Sequence, residues 1–458
     1  MIVVSHRGPF LFSMGEDGNV TAQRGPGGLA GTLHALATST DALSGACCVS
    51  AALGDGDDAV RLGTAGSVPD PEVVFIAIDP SLHRLHYEVV SNEILWFLFH
   101  DLFDRVRTPT FDESFSEAWD AYVSVNRSFA DAVIDRAPDG DTVLVQDYPL
   151  ALVPGMLRAD RPDLRIAYFA HTPFCDPASM MVLPGYAAHA ICESLASVPT
   201  GFHTERWARA YAASVREVLG RDVPPESLFA APLGPDPDEF AILASSPSVT
   251  EAGHELDALT GGRKLIFRTD RVDPAKNIVR GFIAYDQLLA AHPEWRGRVI
   301  FVARLAASRQ NLPEYVTYHE EVGRAAASVN ERWGTDEWQP IVIDARDDFL
   351  RSVAAYTRYD VLVVNSLKDG LNLVAKEGPL VNRRDGVLCL SPEAGSYAEL
   401  HEAALTVHPY DVEQAAHALH VALSMPADER AARAARLRVL AVTHTPRTWL
   451  DTLVMRAR

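Results

Sequence analysis

Arg271 and Lys276 sit in the stretch RTDRVDPAKN (268–277), and Asp369 and Glu377 flank Asn372, Leu373 and Val374 in NSLKDGLNLVAKE (365–377). The second stretch follows VLVV (361–364), an aliphatic run that reads as a parallel strand buried on both faces. A helix-compatible run begins near Asn372, so the backbone N–H groups from Asn372 to Val374 offer a cradle for a phosphate. One cradle with a carboxylate on either side suits a sugar nucleotide: donors for the diphosphate, acceptors for the hydroxyls at each end. Two fixed cations beside it suit a leaving diphosphate, whose charge grows as the glycosidic bond breaks. Arg309, in ASRQNLPEY (307–315), follows the next strand and adds a third cation on the same edge. Each residue also has a plainer reading, because βα loops carry polar turn residues of their own and most Arg and Lys are solvated.

In the amino-terminal half, Ser5-His6-Arg7 ends the strand IVVS (2–5), and Gly27-Gly28 precedes a helix over 29–36. Paired glycines at a helix entry let a phosphate or sugar approach the backbone. Two successive strands, TVLVQ (142–146) and RIAYFA (165–170), end in Asp147 and His171, at the sheet edge where α/β proteins bind ligands. Asp55-Gly56-Asp57, in a glycine-rich turn, has the spacing of a metal chelate, yet Asp is common there for backbone reasons. Tyr87 and Trp96 fall in an apolar stretch (87–101) expected to be helical at its end, and by pattern alone both read as core.

These residues need a scaffold that brings strand ends together. The first half reads as strands 2–5, 47–53, 73–78, 142–146 and 165–170, with a hairpin over 9–23 and helices over 112–135, 150–158 and 201–219. A stretch rich in Pro, Asp, Ser and Gly runs over 221–262, and the domain junction is expected near 240. Beyond it, strands 264–268, 298–303, 340–344, 360–364, 386–391 and 404–408 alternate with helices, the spacing of a second parallel doubly wound sheet. The expectation is an α/β chain of two Rossmann-like domains, 1–240 and 241–445, facing each other across a cleft, with a last helical segment in 446–458.

Composition excludes several classes. A formal charge of −20 over 458 residues argues against a nucleic-acid or anionic-membrane surface. No apolar run approaches about 18 residues, so no transmembrane helix is expected. Five scattered cysteines read as buried thiols of a cytoplasmic protein. Dehydrogenase, P-loop and esterase signatures are missing from the chain.

With these residues in view, the chain resembles the retaining GT-B glycosyltransferases of the trehalose-6-phosphate synthase family over nearly its whole length. The matching residues are Ser5 to Arg7, Gly27-Gly28-Leu29, Tyr87 with Trp96, Asp147-Tyr148, His171 with Pro173-Phe174, Gly201 to Thr204, Arg271 with Lys276, Ser308-Arg309, and Asp369 to Glu377. The resemblance implies transfer of glucose from a nucleoside diphosphate to glucose 6-phosphate, with retention and without a metal or other cofactor. It implies that Arg7, Tyr87, Trp96 and Arg309 grip the acceptor phosphate. It places Asp147 on the acceptor, His171 and Asp369 on the transferred sugar, Arg271 and Lys276 on the diphosphate, and Glu377 on the ribose. Gly27, Gly28, Asn372, Leu373 and Val374 complete the donor set, and the resemblance implies that the last helix, in 446–458, crosses back onto the first domain.

Gln146, Pro149, His6 and Pro26 depart from the family pattern, as does GPLVNRRDG (378–386). The donor base (UDP, GDP or ADP) and the acceptor stay open, as does a homo-oligomeric state. The alternatives are a pseudo-glycosyltransferase joining cyclitols, glucosylglycerol-phosphate synthesis, and a silent sugar-phosphate sensor. On this reading Arg309→Ala should impair the acceptor and spare nucleotide affinity.

Overall fold

The structure is a computed structural model that describes residues 1–15, 19–25, 28–38, 42–64 and 71–458. The chain divides into two compact units: Met1–Leu233 with Pro446–Arg458, and Gly234–Thr445.

In the first unit the strands are β1 (Ile2–Val4), β2 (Phe10–Met14), β3 (Val20–Arg24), β4 (Cys47–Ala51), β5 (Glu72–Ile76), β6 (Thr142–Gln146), β7 (Arg165–Ala170), β8 (Thr200–Phe202) and β9 (Leu228–Ala230). Among the described residues, seven of them form one parallel sheet, β5-β4-β1-β6-β7-β8-β9, while β2 and β3 make an antiparallel hairpin. The central strands are aliphatic and fully buried, as a sheet covered on both faces requires. Strand order reverses between β1 and β6, so the loops carrying Arg7 and Asp147 leave the sheet at its switch point.

The second unit holds β10 (Lys264–Arg271), β11 (Val299–Ala306), β12 (Ile341–Asp344), β13 (Val361–Val364), β14 (Val387–Leu390) and β15 (Leu405–Thr406). They form a parallel sheet in the order β12-β11-β10-β13-β14-β15. Its switch point lies between β10 and β13, whose carboxyl ends lead to Lys276 and Asp369. The core packs on both faces, around Phe282, Tyr285 and Phe301 on one side and Phe267, Tyr356 and Leu388 on the other.

Several local expectations need correction. Gly201 and Phe202 belong to β8, and the helix begins only at Glu205, capped by the Thr204 hydroxyl accepting from the Trp207 N–H. Gly201 is required where it is, because a Cβ there would stand 2.4 Å from the Phe229 ring. The chain is helical from Pro80 to Phe99 rather than only at the end of 87–101, and Arg84–Leu95 is π-helical. Asp55 to Asp57 open a helix, Asp55–Arg61, instead of a loop. The division falls at Leu233–Gly234 rather than near 240, since the helix Pro237–Ala244 sends Phe240 and Ala244 into the second core. Among the described residues no helix is long and apolar enough to cross a membrane.

Candidate functional site

In the second unit, β10 delivers Arg271, exposed at its end, and then a tight turn, Pro274–Lys276. Asp273 stabilises that turn by accepting the Ala275 N–H at 2.9 Å. Lys276 Nζ lies 2.5 Å from Asp369 Oδ2 in the loop after β13. Burial opposes the Lys276 charge, yet Asp369 and Asp270 together hold its pKa above the ordinary lysine value. The Asn372 amide donates to the same Asp369 oxygen at 3.1 Å, and Asn372 adopts a left-handed φ of 70°. That twist aims its side-chain oxygen at the Ala375 N–H, 3.3 Å away. The helix itself runs Val374–Val381, two residues later than the start expected near Asn372. Leu373 and Val374 lie half-buried at its entry, and Glu377 accepts from the Tyr356 hydroxyl at 3.0 Å.

The Asp369 loop is held from behind by the loop after β14. Asp369 N–H donates to Glu393 O at 3.0 Å, Gly395 N–H to Asp369 O at 3.1 Å, and Ser396 N–H to Leu371 O at 2.8 Å. A Cβ on Gly395 would sit 2.0 Å from Gly370 O, so only glycine permits this approach. Arg309, at φ 44°, donates to Asp273 Oδ2 at 2.8 Å and to the Tyr315 hydroxyl at 2.7 Å; that hydroxyl in turn donates to Asp273. Arg309 therefore shares with the Lys276 turn a carboxylate that is 0% exposed. The sequence reading missed Asp273 and Tyr315, because one resembled a turn residue and the other a helix core residue.

In the first unit, Arg7 is exposed beside β1 and its carbonyl accepts the Ser5 hydroxyl at 2.7 Å. His6 is buried and stacks flat on the Tyr87 ring, centroids 4.1 Å apart, with His83 and His86 at 5.3 and 5.6 Å. Tyr87 is thus brought to the Arg7 loop. Burial, with His86, His83 and Arg7, keeps His6 uncharged. Trp96 is buried and stacked on His100 at 3.9 Å, with Tyr148 at 6.0 Å, so the core reading of Trp96 also has a structural basis.

Asp147, at φ 68°, accepts the His171 N–H at 3.0 Å, and His171 Nε2 meets Gln146 Oε1 at 3.0 Å. An amide oxygen only accepts, so the proton is on Nε2 and the Nδ1 lone pair is the open one. Burial lowers the His171 pKa to about 3, which keeps it neutral. Gly28 opens the helix Gly28–Thr38, whereas Gly27 and Pro26 lie outside the described residues. Gly25 lies against the β1 loop, where a Cβ would meet Gly8 O at 3.1 Å.

Asp57 accepts the Leu53 N–H at 2.9 Å and the Phe12 N–H at 3.3 Å, one on each oxygen. Oδ1 ties β2 to the helix Asp55–Arg61 and Oδ2 braces the turn that opens that helix, so Asp57 has a structural duty. Among the described residues, the group of side chains close enough to share an ion is His292, Glu294 and His420, before the amino end of β11. There His420 Nδ1 already accepts from the Trp295 indole at 3.2 Å.

The family model described as Glycosyltransferase family 20 matches residues 1–458. A bifunctional trehalose-6-phosphate synthase/phosphatase of Thermoproteus tenax is 36% identical over 362 residues, covering 76% of this chain and 48% of that protein, so the chain spans about half its length. An alpha,alpha-trehalose-phosphate synthase (UDP-forming) of Botryotinia fuckeliana is 32% identical over 483 aligned residues, covering 99% of this chain and 88% of that one. The crystal structure of an alpha,alpha-trehalose-phosphate synthase (UDP-forming) from Burkholderia xenovorans in complex with glucose-6-phosphate superposes with a TM-score of 0.83 at 26% identity, covering 98% of each chain.

Proposed function

The chain belongs to glycosyltransferase family 20 and shares its α/β GT-B fold, and we propose from this membership that it is a retaining hexosyltransferase making trehalose 6-phosphate. The donor is a nucleoside diphosphate glucose, UDP- or GDP-glucose, and the acceptor glucose 6-phosphate. The observation that carries the reading is the Lys276–Asp369 pair, joined by Asn372, at the switch point between β10 and β13.

In the reaction, the bond from glucose C1 to the phosphate oxygen breaks and its electron pair stays on the diphosphate. The acceptor hydroxyl oxygen bonds to C1 on the same face, and its proton passes to the departing phosphate. Arg271 and Lys276 stabilise the charge that accumulates there. Asp369 accepts from a hydroxyl of the transferred glucose, and Glu377 from the ribose. Leu373 and Val374 present backbone N–H groups, and Gly27 and Gly28 carry the same donor assignment in the first unit. His171, neutral and with its Nδ1 lone pair open, accepts a further sugar hydroxyl, and Asp147 orients the acceptor. Arg7, Tyr87 and Trp96 hold the acceptor phosphate, and Arg309 carries the same assignment in the second unit.

The stretch 378–386, which departs from the family pattern, has structural duties. The Asn382 amide donates to Tyr356 O and Tyr359 O at 3.0 Å each, Arg383 to Ala244 O at 2.9 Å, and Arg438 to Asp385 at 3.2 Å. It closes the carboxyl end of the Val374–Val381 helix, opposite the end where Leu373 and Val374 lie.

The test is product analysis from a matrix of UDP-, GDP- and ADP-glucose against glucose 6-phosphate and glycerol 3-phosphate, with EDTA present. Trehalose 6-phosphate with both linkages α is expected, undiminished by the chelator. A glycerol product, a β linkage or a metal requirement would contradict it.

A further inference from the structure

Beneath the Lys276–Asp369 pair lies a charged side chain with no exposure to spare for substrate. Arg268, on β10, is 1% exposed, and its guanidinium is spent entirely on protein. Nε and Nη2 donate to Asp270 Oδ2 at 3.0 and 2.8 Å. Nη2 also donates to the Lys276 carbonyl at 2.8 Å, and Nη1 to Asn365 Oδ1 at 3.2 Å. Asn365 follows β13 directly, and it exchanges two bonds with Asn277: its amide to Asn277 O at 3.1 Å, and the Asn277 amide to Asn365 O at 3.0 Å.

The reason for an arginine here lies in the sheet. Pairing between β10 and β13 stops at Phe267–Leu362, so the strands part just below the switch point. One guanidinium, with donors in a rigid planar fork, spans that parting and ties the loop after β10 to the loop after β13. The facing helix is cut back for it: a Cβ on Gly281 would stand 2.8 Å from Arg268 Nη1.

Charge order matters as much as geometry. Arg268, Asp270, Lys276 and Asp369 alternate in sign. Asp270 is buried, which raises its pKa, and both Arg268 and Lys276 oppose that rise. Both bonds from Arg268 fall on Asp270 Oδ2, so Asp270 has its own cation and Lys276 is left to Asp369. Without the guanidinium, Asp270 becomes a buried, unpaired carboxylate, and Lys276 is the nearest cation to answer it.

We propose that Arg268 is a positioning residue for the donor diphosphate, holding Lys276 and the loop after β13 in register and keeping Asp270 from drawing Lys276 away. The proposal rests on the reading of Lys276 as the diphosphate ligand. Arg268 touches no substrate; it acts through Lys276.

The experiment is calorimetric titration of the full chain with UDP and GDP, and with UMP and GMP, which lack the second phosphate. Arg268→Gln should weaken the nucleoside diphosphate that the wild type binds by about 10- to 100-fold and the matching monophosphate by less than about twofold. In a Lys276→Ala background the same substitution should change diphosphate affinity by less than about twofold. Arg268→Lys should restore part of the loss. Arg268→Gln with Asp270→Asn, which leaves no buried carboxylate to draw Lys276, should fold and recover part of the discrimination in favour of the diphosphate. Gly281→Ala, which displaces the guanidinium and keeps its charge, should weaken the diphosphate alone. Equal weakening of mono- and diphosphate, or an undiminished effect in the Lys276→Ala background, would mark Arg268 as a fold residue only and overturn the proposal. A wild-type chain that binds neither diphosphate removes the donor-site reading itself, a result separate from any variant.

Discussion

Arg309 shows how a buried partner changes what a substitution is expected to do. From sequence, Arg309→Ala is expected to spare the nucleotide, because the resemblance assigns Arg309 to the acceptor phosphate. The structure joins them through Asp273, which is fully buried, accepts from Arg309, and stabilises the turn that ends in Lys276. Removing one partner of a buried ion pair costs about 3–5 kcal/mol. Arg309→Ala should therefore raise the acceptor KM and also weaken nucleoside diphosphate binding, by about tenfold or more each. Titration of the variant with UDP and GDP checks this; unchanged nucleotide affinity would separate Arg309 from the turn. Charged residues after strands were legible because their position in a βα unit places them at the sheet edge. Their buried partners were not, since Asp273, Tyr315 and Arg268 look like ordinary turn, helix and strand residues until their side chains meet.

The close approach at Gly395 belongs to the scale of elements, where a loop's shape is set by its neighbour. Gly395 lets the loop after β14 lie against Gly370 O and hold the Asp369 loop by three backbone bonds. Gly395→Ala should push the loops apart and destabilise the fold by about 1–3 kcal/mol, with a larger fractional loss of nucleotide affinity than of acceptor affinity. Thermal unfolding with paired KM measurements checks it, and an equal loss on both substrates counts against it. The π-helical Arg84–Leu95 segment was missed because its apolar spacing has no 3.6-residue period. It buries His86, whose Nε2–H donates to Pro149 O at 2.8 Å while burial brings its pKa down to about 4 from 6.5. Between those values the unfolded chain binds the extra proton. Stability from His86 is thus complete above pH 6.5 and lost as pH falls toward 4, by about 3 kcal/mol in all. His86→Leu should flatten the fall in unfolding free energy over that range, with Asn126 still donating to Pro149 O. An unchanged slope would place the acid sensitivity elsewhere.

At the scale of the whole molecule, the alternation of strand and helix made two doubly wound units legible, because a parallel sheet demands a crossover after every strand. At the end of the chain the crossing back was legible through the resemblance alone, since an Ala-, Leu- and Arg-rich run gives no hint of which core receives it. Pro446–Arg456 belongs to the first unit although residues 234–445 intervene. Trp449 is 1% exposed and lies 5.4 Å from the Phe169 ring and 5.6 Å from His171, and the Arg458 carbonyl accepts the Ile166 N–H at 3.0 Å. The helix thus closes the face of β7 that leads to His171. Loss of one such buried tryptophan costs about 3–5 kcal/mol, a large part of the stability of a single unit. Ending the chain at Thr445 should therefore speed hydrogen exchange in β6 and β7 by several orders of magnitude. The amides of β10, β11 and β13, in a core with no contribution from this helix, should keep their protection, and UDP or GDP should still slow their exchange. Peptide-resolved exchange with and without nucleotide checks both halves of the expectation. Simultaneous loss of protection in β6 and β10 would mean that the two units unfold as one, and that their separate cores do not make them separately stable.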